Sequence, residues 1–212
     1  MRLPAGAAGI CGTAALASLA AFASGTPPPT RDCIASASSG PGRHASVIIL
    51  VEDLEGGGAQ NQLLLDATNT AVSHLSPQDS IGFAGNTDKA ELPVPLQPVG
   101  DRRAVSDAVR SVQDISDPDS YDPAVKAAAA ALAGETGVKE VILIGDGDAK
   151  PVDPATLNLL RGQGATVSTI YEQAAANDKP DQMQQLARDG GGTYQSAGAA
   201  ANTPDVLSKA VC

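Results

Sequence analysis

The chain contains no Trp and only two Phe and three Tyr among its 212 residues. Surfaces that grip sugars or stack nucleobases need rings, so this scarcity argues against both and leaves an aliphatic core. Histidine is equally scarce. Its two copies fall at His44, in a Pro/Ser/Gly-rich stretch, and at His74, on a helical pattern. No Ser-His-Asp or Cys-His arrangement can be drawn from them. Basic residues are few as well: 14 Lys and Arg against 24 Asp and Glu leave a net charge of −10 and a pI near 4.5. That balance repels a phosphate backbone and an anionic membrane alike, so nucleic acid is disfavoured, and a cationic partner or bound divalent cations are favoured. The triple glycine at 56–58 lacks the spacing of a dinucleotide loop, and Asp53 and Glu55 just before it would face a pyrophosphate.

Long apolar runs are confined to the N-terminus. Arg2 precedes an uncharged stretch over residues 3–23 that ends in Ala21-Phe22-Ala23, a small-x-small pattern. A positive start, a short apolar middle and a small-residue exit read as a secretory signal peptide. The glycines and the proline within it make an uncleaved membrane anchor the poorer reading, so a membrane enters only if this segment is retained. Residues 24–44, rich in Pro, Ser and Gly without periodicity, read as a linker. Cleavage would leave Cys33 and Cys212. An exported chain with one cysteine at each end invites a disulfide, whereas a cytosolic chain would keep two free thiols.

Over residues 46–51, Ser46 is followed by five consecutive aliphatic residues, which suits a central strand of a parallel sheet with both faces covered. It delivers Glu52, Asp53 and Glu55 to the carboxyl edge, where open α/β sheets keep their sites. Residues 140–144 repeat the pattern and end in Asp146 and Asp148. Around these two, the periodicity predicts helices over 59–75, 101–112, 122–132, 153–161 and 180–188 and from 203 onward. It predicts strands over 80–84, 165–171 and 191–195, and an edge strand over 90–96, where Pro93 and Pro95 bar an interior position. Asp122 and Asp153, each followed by proline, read as helix N-caps. Strands alternating with helices at this spacing imply one doubly wound α/β domain over residues 45–212.

Three acidic loops should then meet at one sheet edge: Glu52, Asp53 and Glu55; Asp117, Asp119 and Ser120; Asp146 and Asp148. Oxygen ligands clustered without His or Cys suit Mg²⁺ or Ca²⁺. The plainer alternative is that these acids cap helices and meet water. A metal-dependent hydrolase or phosphotransferase built on Glu52, Asp53, Asp146 and Asp148 is a second reading. It is weakened because Lys150 is the one basic residue beside them that could orient a phosphate. A purely structural module is a third.

Several segments in order resemble a von Willebrand factor A (VWA) domain. Residues 47–57 are similar to the family's first strand and its Asp-x-Ser-x-Ser loop, residues 76–82 to the turn into its second strand, and residues 95–102 to its edge strand and exit. Residues 141–148 resemble the strand ending in Thr-Asp-Gly, and residues 186–194 the Gly-Gly stretch before the last strand. The resemblance implies a mostly parallel six-stranded sheet with helices on both faces. It also implies a non-catalytic, adhesion-type domain with a metal-ion-dependent adhesion site (MIDAS), usually holding Mg²⁺ that a protein partner's acidic residue completes. By position, Asp53 matches the first Asp and Asp146 the last, Glu55 and Gly57 stand where serines belong, and Asp119 with Ser120 stands where a Thr is expected. The site implied is degenerate: Asp53, Glu55, Asp119, Ser120 and Asp146, more anionic than usual and leaning toward Ca²⁺ if it holds an ion. A family disulfide joining the domain ends would correspond to Cys33 with Cys212.

Overall fold

A computed structural model describes residues 34, 43–52, 58–85, 88–112, 119–173 and 178–211, all within one compact unit spanning residues 31–212. The signal-peptide reading of residues 1–23 lies outside the described residues, as do Cys33, Asp53, Glu55 and Cys212. Of the stretch read as a linker, Ile34 is described, and it is buried in the core rather than exposed.

The strands are β1 (Ala45–Val51), β2 (Ser80–Ala84), β3 (Val94–Pro98), β4 (Val138–Gly145), β5 (Ala165–Glu172) and β6 (Gly191–Gly198). They form a six-stranded sheet in the order β3-β2-β1-β4-β5-β6. All pairings are parallel except β2 with β3. The buried apolar runs occupy the middle: β1 pairs with both β2 and β4, and all its residues are buried. β3 is the antiparallel edge, as its prolines require, but it begins later than the sequence pattern indicates. Val94 lies opposite Phe83 and Pro98 opposite Ser80, while residues 88–93 turn in the open before it.

Among the described residues the helices are α1 (Gly58–His74), α2 (Arg102–Arg110), α3 (Asp122–Leu132), α4 (Pro154–Gly162), α5 (Pro180–Gly190) and α6 (Thr203–Val211). Strand alternation divides them between the two faces of the sheet. Val47, Ile49 and Val51 pack with Leu65 and Ala71 of α1, Leu75 just after it, Val105 and Val109 of α2, and Leu207 and Val211 of α6. Ile48 and Leu50 pack with Ala124, Ala128 and Leu132 of α3, Leu160 of α4, and Met183 and Leu186 of α5. This is the doubly wound arrangement that the alternation of elements implies. None of the described helices is long and apolar enough to cross a membrane.

The caps divide the two Asp-Pro helix starts. Asp153 accepts from Ala155 N at 2.8 Å and is an N-cap as expected. Asp122 is not: Tyr121 holds the N-cap position of α3. The Asp122 carboxylate instead accepts from Asp153 N at 3.0 Å and Thr156 Oγ1 at 2.8 Å, tying α3 to the start of α4, and it pairs with Lys126 on its own helix.

Asp79 fixes the opposite, amino edge of the sheet. It is fully buried, and its two carboxylate oxygens accept from Ala45 N and Ser76 N, each at 2.7 Å. A buried N–H without an acceptor costs about 1–3 kcal/mol. Asp79→Ala is therefore expected to lower the unfolding free energy by about 3 kcal/mol, and Asp79→Asn, which keeps one acceptor, by less. Urea denaturation of both variants checks this. An unchanged midpoint for Asp79→Ala would refute the role.

Candidate metal centre at the carboxyl edge

Glu52 directly follows β1, and its N–H extends the ladder by donating to Ile144 O at 3.1 Å. It shares the face of Ile48 and Leu50, and only 1% of its surface is exposed. Room for its carboxyl exists because the neighbouring strand ends in glycine. A Cβ on Gly145 would stand 1.7 Å from Glu52 Oε2 and 2.7 Å from its Cδ. Tyr121, fully buried at the start of α3, donates its hydroxyl hydrogen to Glu52 Oε2 at 2.5 Å. The same hydroxyl oxygen accepts from Gly147 N at 3.1 Å. One phenol thus joins the end of β1 to the loop after β4.

That loop is held tightly. Asp146 Oδ1 accepts from Asp148 N at 3.0 Å, a local turn bond typical of Asp. Asp146 O accepts from Lys179 N at 3.0 Å, Asp148 O from Lys179 Nζ at 3.2 Å, and Ala149 O from Gln182 Nε2 at 2.5 Å. Gly147 sits at φ +86°, where a Cβ would meet Lys179 O at 2.5 Å, so the chain can turn there only with glycine.

These constraints bring one carboxylate oxygen from each of Glu52, Asp146 and Asp148 within 4.8 Å of one another. Burial above all, together with the charges of Asp146 and Asp148, pushes Glu52 up to about 9 against the opposing pull of the Tyr121 hydrogen bond. Asp146 is also raised, chiefly by burial and then by Asp148 and Asp178, although the Asp148 N–H and the Glu52 carboxyl act the other way. Burial, and then the neighbouring Glu52, raises Tyr121 further still, so its phenol remains a hydrogen donor.

Glu52 Oε1 is buried, and among the described residues no hydrogen-bond donor is directed at it. A buried, donor-free carboxylate oxygen beside two further carboxylates is what a small hard cation would satisfy. The donor set, all oxygen, fits Mg²⁺ or Ca²⁺, with Glu52, Asp146 and Asp148 as its holders.

Of the residues expected at a metal, Asp146 is in this group, while Asp119 and Ser120 are placed differently. Their backbone N–H groups donate to Asp88 Oδ2 at 3.0 Å and Oδ1 at 3.1 Å. Ser120 Oγ accepts from Asp122 N at 3.2 Å, and Lys150 N donates to Asp119 O at 2.9 Å. Asp119 lies outside the three-carboxylate group. The loop does reach the same edge, as expected, but the side chain it sends in is Tyr121. The sequence places Glu52 and Asp148 in the converging acidic loops and in the enzymatic reading, but not in the degenerate MIDAS set that the resemblance implies. Tyr121 and Gly145 carried no motif. The available signal was a scarce tyrosine next to a helix start, and a glycine closing a buried strand.

No protein-family model matches the sequence, and no curated protein matches it. Solved structures do match in fold. The chain superposes on a von Willebrand factor type A protein from Catenulispora acidiphila with a TM-score of 0.66 at 16% identity, covering 79% of this chain and 41% of that one. The chain therefore spans well under half of that protein's length. BatB from Bacteroides thetaiotaomicron matches with a TM-score of 0.58 at 15% identity, over 79% of this chain and 96% of that one. Proximal thread matrix protein 1 from the mussel byssus, with a zinc-occupied MIDAS motif, matches with a TM-score of 0.57 at 15% identity, over 79% and 45% of the two chains. Six strands in this order, one antiparallel edge and helices on both faces make the fold that of a VWA domain.

Proposed function

We propose that this chain is an exported, non-catalytic protein-interaction domain of the VWA type, whose carboxyl edge takes a divalent cation through Glu52, Asp146 and Asp148. The observation that carries the reading is the donor-free, buried oxygen of Glu52 inside a three-carboxylate group at that edge. The mussel protein of the same fold has a zinc-occupied MIDAS motif, which supports a cation at the corresponding edge here. A cation bound there would supply a Lewis-acidic position for an acidic side chain of a partner protein. The chain's own residues would hold it: Tyr121 orients Glu52, and the α5 start fixes the loop that carries Asp146 and Asp148. Asp53 and Glu55 belong to the same proposed site by position in the sequence, as does the disulfide between Cys33 and Cys212 to the exported form. The enzymatic reading draws less support. Lys179 is turned onto the Asp148 carbonyl, and no nucleophile with an adjacent base accompanies the acids among the described residues.

Thermal unfolding with EDTA, Mg²⁺ and Ca²⁺ in turn tests the cation. An ion that binds only the folded state adds about 2.7 kcal/mol at a hundred times its dissociation constant. The midpoint should rise with Mg²⁺ or Ca²⁺, return with EDTA, and stay flat in Asp146→Asn. No rise with either ion in the unaltered protein overturns the cation reading. Export predicts that protein recovered outside the cytoplasm starts near residue 24, and an intact residue 1 there would contradict it.

Gly145→Ala supplies an independent check on the geometry. The added methyl must displace the Glu52 carboxyl, so the variant should lose the cation-dependent rise and about 1–3 kcal/mol of stability through overpacking. Gly145→Ala combined with Glu52→Ala should regain part of that stability. If the double variant is as unstable as the two losses added together, the crowding account is wrong.

A further inference from the structure

The opposite face of the same sheet edge holds a second buried acid that the proposed cation site does not use. Glu172 ends β5 on the face shared by Ile170, α1 and α6, and it is fully buried. Its Oε1 accepts a hydrogen bond from Thr203 Oγ1, the first residue of α6. Its Oε2 is buried, with no hydrogen-bond partner among the described residues.

The charged residues of the elements on this face do not compensate it. Asp205 and Lys209 on α6, and Asp66 and His74 on α1, are all exposed to solvent. β6 carries Tyr194, which packs on the other face, as do Glu52 and Tyr171, whose hydroxyl bonds to Asp178. Among the described residues, the one hydrogen-bond donor directed at Glu172 is the Thr203 hydroxyl, and no charged side chain offsets its burial. An isolated carboxylate in such a place is costly, whereas the neutral acid is tolerated.

We propose that Glu172 and Thr203 form a proton-operated latch: the neutral carboxylic acid seats the first turn of α6 against β5, and loss of its proton to solvent loosens that helix. The helix end it holds leads directly to Leu207 and Val211, which complete the core on that face, so the latch controls how firmly α6 covers the sheet.

Two effects oppose each other at Glu172. Burial raises its affinity for a proton, and the Thr203 hydroxyl, like the positive end of the helix, favours the ionised form. Burial prevails and lifts the carboxyl from 4.5 to about 7. The sign follows: the docked state binds the proton more tightly than the loosened one. Docking is strongest at acid pH and weakens between 4.5 and about 7 as the pH rises, then levels off.

Hydrogen exchange of the full chain across that range, corrected for the intrinsic pH dependence of amide exchange, reads the docking of Thr203–Val211. Opening of these amides should grow by up to roughly tenfold per pH unit within the window and then level off. In Glu172→Gln, which keeps the shape and a neutral acceptor, the growth should disappear. Thr203→Val removes the hydroxyl that favours ionisation, so levelling off should move to higher pH. The proposal fails if opening of α6 in the unaltered protein is flat with pH, if Glu172→Gln keeps the same pH dependence, or if Thr203→Val leaves the levelling-off point where it was. None of these readouts involves a cation, so they separate the latch from the site on the other face.

Discussion

The carboxyl edge depends on one costly placement: an acid at the end of the central strand, inside the protein. β1 is buried along its whole length, so the residue after it emerges into low dielectric unless the chain turns away at once. Here it does not turn, and Glu52 continues the ladder onto Ile144. Three neighbours follow from that placement. Gly145 must lack a side chain, Tyr121 must bring a donor, and Gly147 must adopt a left-handed backbone so that its N–H can meet the same phenol. Each is needed because a buried carboxyl without a partner costs more than the hydrophobic contacts around it can offset.

The two faces of the edge treat a buried acid in different ways. Glu52 is surrounded by other acids, so mutual repulsion adds to burial and the group gains from any positive charge, proton or metal ion. No charged side chain of either sign acts on Glu172 among the described residues, so burial dominates against the Thr203 hydroxyl and the positive end of α6. The first environment suits binding an ion between several oxygens. The second suits a group that changes its own charge and thereby the fit of one helix. Both arise from the same topology, because parallel strands deliver consecutive residues to one edge and alternate them between the two faces.

Much of the fold is legible in the sequence because its signals are local. The unbroken apolar runs at 47–51 and 141–144 could only be central strands, and they are; the prolines near 95 required an edge, and β3 is one. The offset of β3 to Val94–Pro98 was not legible, because register against β2 depends on a bulge between Ile81 and Phe83 that leaves no residue-type mark. At the site, the sequence shows which loops converge but not which side chains turn inward. Asp119 and Tyr121 stand two residues apart. Asp88, distant in sequence, holds the backbone of 119 and 120, and the Lys150 carbonyl accepts from Tyr121 N, so the phenol rather than the Asp119 carboxylate enters the cluster. Likewise, Asp122 reads as a cap by its proline neighbour, yet a contact 31 residues away claims it.

The acids at the edge repel one another, yet the loop that carries two of them does not depend on their charge state for its shape. Asp146 O, Asp148 O and Ala149 O are each held by a donor from the segment at Lys179–Gln182, and Gly147 N by Tyr121. With the exception of the Lys179 ammonium, the donors are neutral amides, and the Tyr121 hydroxyl oxygen is the acceptor for Gly147 N, so none of these bonds ends on a carboxylate of the cluster. The charge of the cluster can therefore change while its oxygens stay in place, which is the condition for a preorganised ion site. At Glu172 the order is reversed. The hydrogen bond from the first residue of α6 ends on the titrating group itself, so a change of charge there is felt directly as a change in packing. What separates a binding site from a switch at this edge is whether the anchoring hydrogen bonds fall on the backbone beside the acid or on the acid itself.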